Sequence, residues 1–393
     1  MQRVYLDNNA TTPLLPEVFE AMRPYFFEKF GNASSIHQQG QQARSAVEHA
    51  REQVAELLNC RPAEIVFTSG GTEGDNLALF GLMKPGDHLI TSSVEHHAVL
   101  NACKRLEEMG CTVTYLPVDG RALVDPDDVR RALRPATKLI SIILANNETG
   151  VLQPVSEIGK IASEADVYFH TDAVQAAGKV PLDVKQIGCD LLTITGHKMH
   201  GPQGAGALFV RRGTLLQPMM YGGRHERSRR AGTEHLAGIV GLGKAVEIAR
   251  EGFADGSVER MAGLRHRLER GIVESVEQIG LNSGDATRVP NTTNIYFDCI
   301  EGEAMVIALD LKGLSVSTGA ACSSGAIEPS HVLTAMGLSP DRARASIRFS
   351  LGKQNTADDV EFALSLVPEV VARLREISPV YRKAVSSQPS ALS

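Results

Sequence analysis

Short apolar runs alternate with helical stretches from about Ala63 to Phe209, and this alternation constrains the fold more than any other feature of the sequence. The stretches between the runs, such as His97 to Met109 and Val155 to Ala165, have the apolar spacing of helices. Strands that alternate with helices predict a mainly parallel sheet covered by helices. The predicted strands are EIVFTS, HLITSS, TVTYLPV, KLISIILAN, VYFHTDA, LLTITG and GALFVRR.

The remainder of the chain predicts a second, smaller α/β unit. Residues 183–190 and 222–235 are predicted to be loops, and residues 236–279 are predicted to be helical with an interruption near residues 252–257. The elements expected in the smaller unit are the strands NTTNIYFD and SIRFSLG and the helices Glu303 to Leu311 and Ala357 to Ile377.

The length of 393 residues suits two domains of ordinary size rather than one. We expect an N-terminal segment, residues 1–15, that packs with the small domain, and a large cofactor-binding domain over residues 16–255. A small α/β domain over residues 256–380 would carry a cysteine-containing loop, and residues 381–393 are predicted to be a disordered tail.

Charge and cysteine content argue against several classes of protein. The formal net charge of -6 gives no electrostatic reason to expect nucleic-acid binding. The cysteines are scattered and form no C-x-x-C pair, so we expect neither a disulfide framework nor a standing metal site, and a reduced, cytoplasmic setting fits better. No stretch approaches the roughly 18 apolar residues of a membrane span, and the first residues lack the apolar run of a signal peptide.

A glycine-rich turn, SGGTEGDN from Ser69 to Asn76, follows a predicted strand and opens a helix. Ligands of open α/β sheets bind beyond the carboxyl ends of the strands. Backbone amides at the start of a helix, together with the helix dipole, suit a phosphate, and Thr72 could add a hydroxyl donor. The alternative is a tight turn whose Thr or Ser caps the helix.

Lys198 lies in TGHKMHGPQG, where the chain leaves another predicted strand. A lysine at that edge can reach a central cleft and form a Schiff base with a carbonyl compound, provided that its surroundings lower its pKa. His197 and Thr195 could donate hydrogen bonds to a phosphate in the same cleft. The alternative is a surface lysine in a glycine-rich loop.

Asp172, in HTDAVQ, follows a third predicted strand. A buried carboxylate beside the pyridine nitrogen of pyridoxal phosphate (PLP) keeps that nitrogen protonated, which makes the ring a better electron sink. Gln175, three residues further on, and Asn147, in NNETG, could contact the phenolic oxygen of the ring. The alternatives are that Asp172 caps a helix and that Asn147 belongs to an ordinary turn.

His96 and Arg348 are further candidates, the first at a strand end and the second on a strand of the smaller unit. An imidazole at the first position could stack on the cofactor ring and shuttle protons, although spacing alone does not separate His96 from His97. The guanidinium of Arg348 could bind an amino-acid carboxylate through two N–H groups. A structural histidine and a surface or ion-paired arginine are the alternatives.

Cys322 is the one cysteine in a run of small residues, Ser317 to Ala326. A segment with so little side-chain bulk to anchor it is predicted to be mobile. A thiol that must reach a buried substrate and then transfer a group to an external acceptor needs such a flexible segment. The alternative is a small buried side chain, which is the usual fate of a free cysteine and the interpretation we prefer for the other five.

Together these segments resemble the NifS/IscS-type cysteine desulfurases, which are PLP enzymes of the class V aminotransferase fold. The resemblance covers nearly the whole chain. It implies the PLP-dependent transferase fold of type I, with a mainly parallel seven-stranded sheet in the large domain and a smaller α/β C-terminal domain. The motifs that carry it are YLDNNATTP, FGNASSIH, FTSGGTEGDN, VEHHAVL, NNETG, HTDAVQ, TGHKMHGPQG, GGRHERSRRAGTEH and ACSSGAIEPSH.

The resemblance assigns the cofactor contacts. Lys198 would hold PLP as a Schiff base, and the phosphate would also be reached from a second subunit, which implies a homodimer with shared sites. The contacts would be Gly71, Thr72, Thr195 and His197 at the phosphate, Asp172 at the pyridine nitrogen, Asn147 and Gln175 at the ring oxygen, and Thr233 at the phosphate of the other subunit.

The resemblance also implies the reaction. L-Cysteine would lose its sulfur to Cys322, which becomes a persulfide, and would leave as L-alanine. His96, rather than His97, would be the stacking and acid–base residue. Asn32 and Arg348 would bind the carboxylate of the substrate.

The expected partner is an iron–sulfur scaffold protein of the NifU/IscU type or another sulfur acceptor, with which Cys322 could briefly share an iron ligand. The long segment between Ser317 and Pro329 and the opening VYLDNNATT favour the NifS/IscS branch of the family. The alternatives are selenocysteine lyase or aminotransferase activity on the same fold, and a non-catalytic sulfur-trafficking subunit.

Overall fold

The computed structural model describes residues 3–319, 329–378 and 381. Its strands are β1 (Val4–Tyr5), β2 (Ile65–Thr68), β3 (His88–Ser92), β4 (Thr112–Leu116), β5 (Thr137–Ser141), β6 (Tyr168–Asp172), β7 (Leu191–Thr195), β8 (Gly206–Val210), β9 (Ile279–Leu281), β10 (Thr292–Phe297), β11 (Leu314–Ser315) and β12 (Ser346–Ser350). Its helices are α1 (Pro16–Met22), α2 (Pro24–Phe27), α3 (Gln38–Leu58), α4 (Gly71–Leu82), α5 (His97–Glu108), α6 (Pro126–Ala132), α7 (Val155–Glu164), α8 (Val184–Ile187), α9 (Leu236–Glu251), α10 (Ser257–Ser275), α11 (Gly302–Leu311), α12 (His331–Ala335), α13 (Pro340–Arg344) and α14 (Ala357–Ile377).

Seven strands form the large sheet, in the order β2-β8-β7-β6-β5-β3-β4. Every neighbouring pair is parallel except the two pairs that include β8. β8 runs antiparallel because residues 196–205 return the chain directly from the end of β7, with no crossover helix that could restore the direction. The predicted fold class, with its mainly parallel seven-stranded sheet, is confirmed.

The carboxyl ends of the parallel strands meet at one edge of this sheet, and the chain leaves each strand there into a polar turn. β2 leads into Gly70 and the start of α4, and β7 leads into a 3₁₀ turn, Gly196–Lys198. β3, β5 and β6 end at the same edge, so that residues distant in sequence are brought close together. This edge is the place where the fold can build a site.

The buried apolar residues form separate cores. Two of them pack on either side of the large sheet. Another joins the three-stranded antiparallel sheet, in the order β12-β10-β9, to α10, α11 and α14. Val4 and Leu6 belong to this smaller core, and β1 pairs in parallel with β11. The division into domains at residues 15, 255 and 380 stays a prediction.

Two sequence-based boundaries are wrong. Residues 183–190, predicted to be a loop, contain α8, because Asp183 caps its first amides and Gly188 ends it in the left-handed conformation at φ 76°. The helix predicted to run to Ile279 ends at Ser275, since the following residues pair with β10 as the edge strand β9. Both elements are short, and neither has enough residues to show a periodic pattern.

The predicted loop at residues 222–235 contains one tight feature, a 3₁₀ turn at His225–Ser228. Glu226 and Arg227 adopt left-handed backbone conformations there, with φ of 45° and 57°. The turn is held in place by Glu226, whose buried carboxylate accepts two hydrogen bonds from Arg51, at 2.7 and 2.8 Å.

None of the helices in the described ranges is both long enough and apolar enough to cross a membrane.

Candidate active site

A cavity of about 320 Å³ lies at the carboxyl edge of the large sheet, which is large enough for a small cofactor. Most of the residues predicted from the sequence line it together. They are Gly71, Thr72, His96, Asn147, Asp172, Gln175, Thr195, His197, Lys198 and Arg348. Asn32 and Thr233 do not line this cavity, and Cys322 lies outside the described residues.

Lys198 follows β7 in the 3₁₀ turn and extends towards the N-terminal segment of the chain. Its Nζ donates hydrogen bonds to the backbone carbonyls of Asn9, at 2.5 Å, and Ala10, at 2.6 Å. The segment after β1 therefore covers one side of the lysine and keeps its amine inside the cavity.

The start of a helix in the cavity lining is suited to bind an anion. α4 begins there at Gly71, and the amides of its first turn have no partner within the helix. A Cβ on Gly71 would lie 2.8 Å from Val174 Cγ2, so a side chain would not fit between the helix start and the floor of the cavity. Thr72 and Thr195 add hydroxyl groups, and the helix dipole adds partial positive charge.

His197 also lines the cavity, with Nδ1 3.2 Å from the hydroxyl oxygen of Thr11. Burial, with the positive charge of Lys198, lowers the pKa of His197 to about 4. The ring is therefore neutral near pH 7, and the nitrogen that carries its proton is a hydrogen-bond donor.

A buried carboxyl group also lines the cavity. Asp172, the last residue of β6, is 4% exposed and accepts a hydrogen bond from the Val174 amide at 2.8 Å. Burial raises its pKa to about 6, although the nearby Lys198 acts in the opposite direction. Oδ1 of Asp75, also on the cavity wall, has no hydrogen-bond partner among the described residues.

A lysine, an anion-binding helix start and a desolvated carboxyl thus face one cavity of cofactor size. A carboxyl whose ionised form lacks solvation is stabilised when a cationic group is placed beside it. A protonated pyridine ring that carries a phosphate would supply both a cation for the carboxyl group and an anion for the start of the helix. The residues present therefore fit PLP.

His96 lines the cavity, whereas His97 does not. His96 caps α5, and its Nδ1 accepts a hydrogen bond from the Ala98 amide at 3.1 Å, which leaves the proton on Nε2. Burial and the charge of Lys198 lower the pKa of His96 to about 4. The ring of His97 instead packs against His331, with ring centroids 4.8 Å apart. The catalytic role of His96 stays a prediction.

Arg348 lines the cavity, but its guanidinium is already engaged. It donates to the Asp7 carboxylate at 2.8 Å and to the Asn147 carbonyl at 2.9 Å, and its Nε has no partner among the described residues. These contacts use one N–H of each terminal nitrogen, so each of those nitrogens keeps a second N–H for a substrate carboxylate. The two-point contact expected from the sequence stays a prediction.

Sequence reasoning missed the N-terminal residues of the site. Asn9 is 2% exposed, and its carbonyl accepts hydrogen bonds from both Lys198 and Gln175. Its side chain binds the Asn147 carbonyl at 3.1 Å and Thr292 Oγ1 at 2.9 Å. The signal in the sequence is the polar run DNNATT, which directly follows VYL.

Burial at this edge of the sheet predicts a pH-dependent stability. Glu95 precedes His96 and is fully buried, and its Oε1 accepts hydrogen bonds from Ser92 and the Ile143 amide. Burial nevertheless raises its pKa from an ordinary value of 4.5 to about 8. The protonated Glu95 side chain makes its full contribution to stability below pH 4.5, and this contribution is lost as the pH rises through about 8.

The wild-type protein should lose about 3.5 kcal/mol of unfolding free energy through Glu95 between pH 5 and pH 8, and Glu95→Gln should not show this loss. Urea unfolding of the cofactor-free protein at both pH values measures this difference. Glu157→Gln, on the exposed face of α7, is the matched control and should show the same loss as wild type. A difference that stayed constant with pH would contradict the assignment.

Four other cysteines are poor nucleophiles. Burial raises the pKa of Cys60 to about 12 and also raises the pKa values of Cys103, Cys111 and Cys189. A thiol attacks as its thiolate, so these shifts disfavour reaction at neutral pH. Cys299 is half-buried and does not line the cavity.

The chain matches the family model of aminotransferase class V over residues 4–362. It is 49% identical over 382 residues to the cysteine desulfurase IscS of Dictyoglomus turgidum, and the alignment covers 96% of this chain and 97% of that protein. It is 50% identical over 384 residues to the cysteine desulfurase IscS of Methanosarcina thermophila, and the alignment covers 97% of this chain and 95% of that protein. Among solved structures it is similar to a NifS-like protein, with a TM-score of 0.89 and 36% identity over 95% of this chain and 100% of that one.

Proposed function

We propose that this chain, which belongs to the aminotransferase class V family and is a PLP-dependent cysteine desulfurase, holds its cofactor through Lys198 and receives sulfur on Cys322. The single observation that carries the proposal is the meeting of Lys198, Asp172 and the start of α4 in one cavity. A lysine, a buried carboxyl and an anion-binding helix start are the groups that this cofactor needs.

The residues of the cavity have separate roles in the reaction of L-cysteine. Bound PLP supplies an electron sink for the substrate carbanion. Asp172 would hold the proton on the pyridine nitrogen, and Lys198 Nζ would take the α-proton of L-cysteine. Arg348 lines the cavity and keeps N–H donors on its terminal nitrogens for the substrate carboxylate. The neutral ring of His96 can take up a proton and return it to the carbon fragment that leaves as L-alanine.

Cys322 completes the reaction by taking the sulfur atom. Its thiolate attacks the substrate sulfur, a sulfur–sulfur bond forms, and the bond from that sulfur to the substrate Cβ breaks with its electron pair left on the carbon side. Gly319, three residues before Cys322, lines the cavity. Three residues of extended chain span roughly 10–11 Å, so covalent geometry allows the thiol to reach the substrate.

The sulfur acceptor is proposed from the relatives, which are named IscS. A persulfide on Cys322 would pass its outer sulfur to a thiol of an iron–sulfur scaffold protein. Such an acceptor requires reduced thiols, so we also propose a cytoplasmic location. Transfer of radioactive sulfur from labelled L-cysteine to a purified scaffold protein, and its loss when the scaffold cysteines are replaced, tests the acceptor.

We also propose a homodimer with shared sites. Thr233 lies on a neighbouring groove with Phe67 and Arg230, outside the cavity of its own chain, where a residue that serves the partner's phosphate would be placed. Large apolar side chains are exposed, as expected for a surface that a second subunit covers. They include Phe27, Phe30, Ile36, Leu215 and Tyr221. Light scattering should give twice the chain mass of 42.3 kDa.

The experiment that tests the function follows the products of L-cysteine. Purified protein with PLP and a thiol reductant should form L-alanine and sulfide in equal amounts, while the reductant is oxidised to its disulfide. A keto acid in place of alanine would indicate an aminotransferase, and a strict requirement for L-selenocysteine would indicate a selenocysteine lyase. Protein that bound no PLP and formed neither product would favour a non-catalytic trafficking subunit.

A further inference from the structure

A second lysine lies beside the cofactor cavity, and the reaction described above does not use it. Lys179 is 6% exposed, and its Nζ donates to the side-chain oxygen of Gln175 at 2.7 Å and that of Asn9 at 3.4 Å. Both partners are neutral amide oxygens. Burial, with the nearby charges of Lys198 and Arg348, lowers the pKa of Lys179 well below its ordinary value.

Burying an amine against neutral partners is costly, and methionine would fill the same space without that cost. A buried polar network whose members are hydrogen-bonded fixes the orientation of their side chains. At Lys179 the group so oriented is the side chain of Gln175.

The two ends of the Gln175 amide are fixed by different partners. Lys179 donates to Oε1, while Nε2 donates to the Asn9 carbonyl at 2.9 Å. A side-chain amide has two N–H donors, so one remains after the bond to Asn9. Because Lys179 holds Oε1, the amide group cannot rotate to exchange Oε1 and Nε2. Gln175 lines the cavity, and the group that it can offer there is the second N–H of Nε2.

The same small network includes the cofactor lysine. The Asn9 carbonyl that binds Gln175 also accepts from Lys198 Nζ, at 2.5 Å. The side-chain oxygen of Asn9 receives Asn291 Nδ2 at 3.0 Å in addition to Lys179. Lys179, Gln175, Asn9 and Lys198 are thus joined by direct hydrogen bonds.

We propose that Lys179 is a positioning residue of the cofactor site, whose amine holds the Gln175 amide so that its remaining N–H faces the ring oxygen of bound PLP. The inference rests on the proposed function in one respect, which is that Gln175 contacts that oxygen. It adds a residue that acts through Gln175 and does not itself touch the cofactor.

The test is a double-mutant cycle read out by cofactor binding and absorption. We expect Lys179→Met and Gln175→Met each to weaken PLP binding about tenfold, the effect of one lost hydrogen bond to a charged oxygen. Both should shift the absorption maximum of the bound cofactor in the same direction. The double variant should bind PLP no more weakly than Gln175→Met alone, since Lys179 acts only through Gln175.

Two further variants make the outcome specific. Lys160→Met makes the same substitution on the exposed face of α7 and should leave affinity and spectrum unchanged. Lys179→Gln keeps an N–H donor and should lie closer to wild type than Lys179→Met in absorption maximum. Circular dichroism and thermal unfolding of the cofactor-free variants show whether each one is folded.

The inference is overturned if Lys179→Met leaves the spectrum and affinity unchanged, if its effect adds fully to that of Gln175→Met, or if Lys179→Gln behaves as Lys179→Met does. Wild-type protein that took up no PLP would instead overturn the proposed function. Normal PLP uptake by wild type with any of the first three outcomes overturns only the role of Lys179.

Discussion

Lys198→Ala is expected to lower the rate of alanine formation from L-cysteine by about a thousandfold or more, because one amine both anchors the cofactor and moves the α-proton. PLP should still bind, since the start of α4 and Asp172 remain in place. The visible absorption of the lysine-bound cofactor should disappear. Alanine production at saturating PLP, measured with the absorption spectrum, gives both quantities.

The control for this variant is Lys160→Ala, which removes an exposed lysine from α7 and should keep wild-type activity. Retention of more than a tenth of the wild-type rate by Lys198→Ala would contradict the assignment. If Lys198→Ala is inactive because it does not fold, its melting temperature will be lowered. Lys198→Arg then provides the second test, since it keeps the charge but cannot form the Schiff base.

Cys322→Ala is expected to bind PLP as wild type does but to form sulfide and alanine at least about a hundredfold more slowly, since the attacking thiolate is gone. PLP binding should be unchanged because the cofactor site is built from other parts of the chain, at the carboxyl edge of the large sheet. Uptake of PLP followed by absorbance, and both products assayed together, separate binding from sulfur transfer.

Cys60→Ala is the matched control for the cysteine. Cys60 is half-buried, and its raised pKa makes it a poor nucleophile, so its removal should leave sulfur transfer unchanged. Normal desulfuration by Cys322→Ala would show that another group accepts the sulfur. Failure of Cys322→Ala to take up PLP would show that the cysteine is part of the cofactor site.

The large sheet was predictable because each strand carries a local signal and each parallel strand ends at the same edge. Gly71 and Lys198 follow β2 and β7, and Asp172 is the last residue of β6, so this rule alone places the three residues together. The resemblance to NifS/IscS-type enzymes added the reaction, and the family and the cofactor are confirmed.

What was missed depends on contacts between distant parts of the chain. Asp7 binds Arg348 across 341 positions, and no local pattern marks that pair. Lys179 was overlooked because a lone lysine is usually exposed, and its burial follows from the path of the N-terminal segment over the site. The short elements α8 and β9 were missed for a different reason, since their ends are set by a cap and by edge pairing.

The most direct test of the central claim is to locate the cofactor on the chain. Protein purified with PLP would be reduced with sodium borohydride, which makes the Schiff base permanent, and then digested and analysed by mass spectrometry. The account predicts one pyridoxyl group, on the peptide that contains Lys198. A label on Lys179 or another lysine, or no label on protein that forms alanine from L-cysteine, would contradict it.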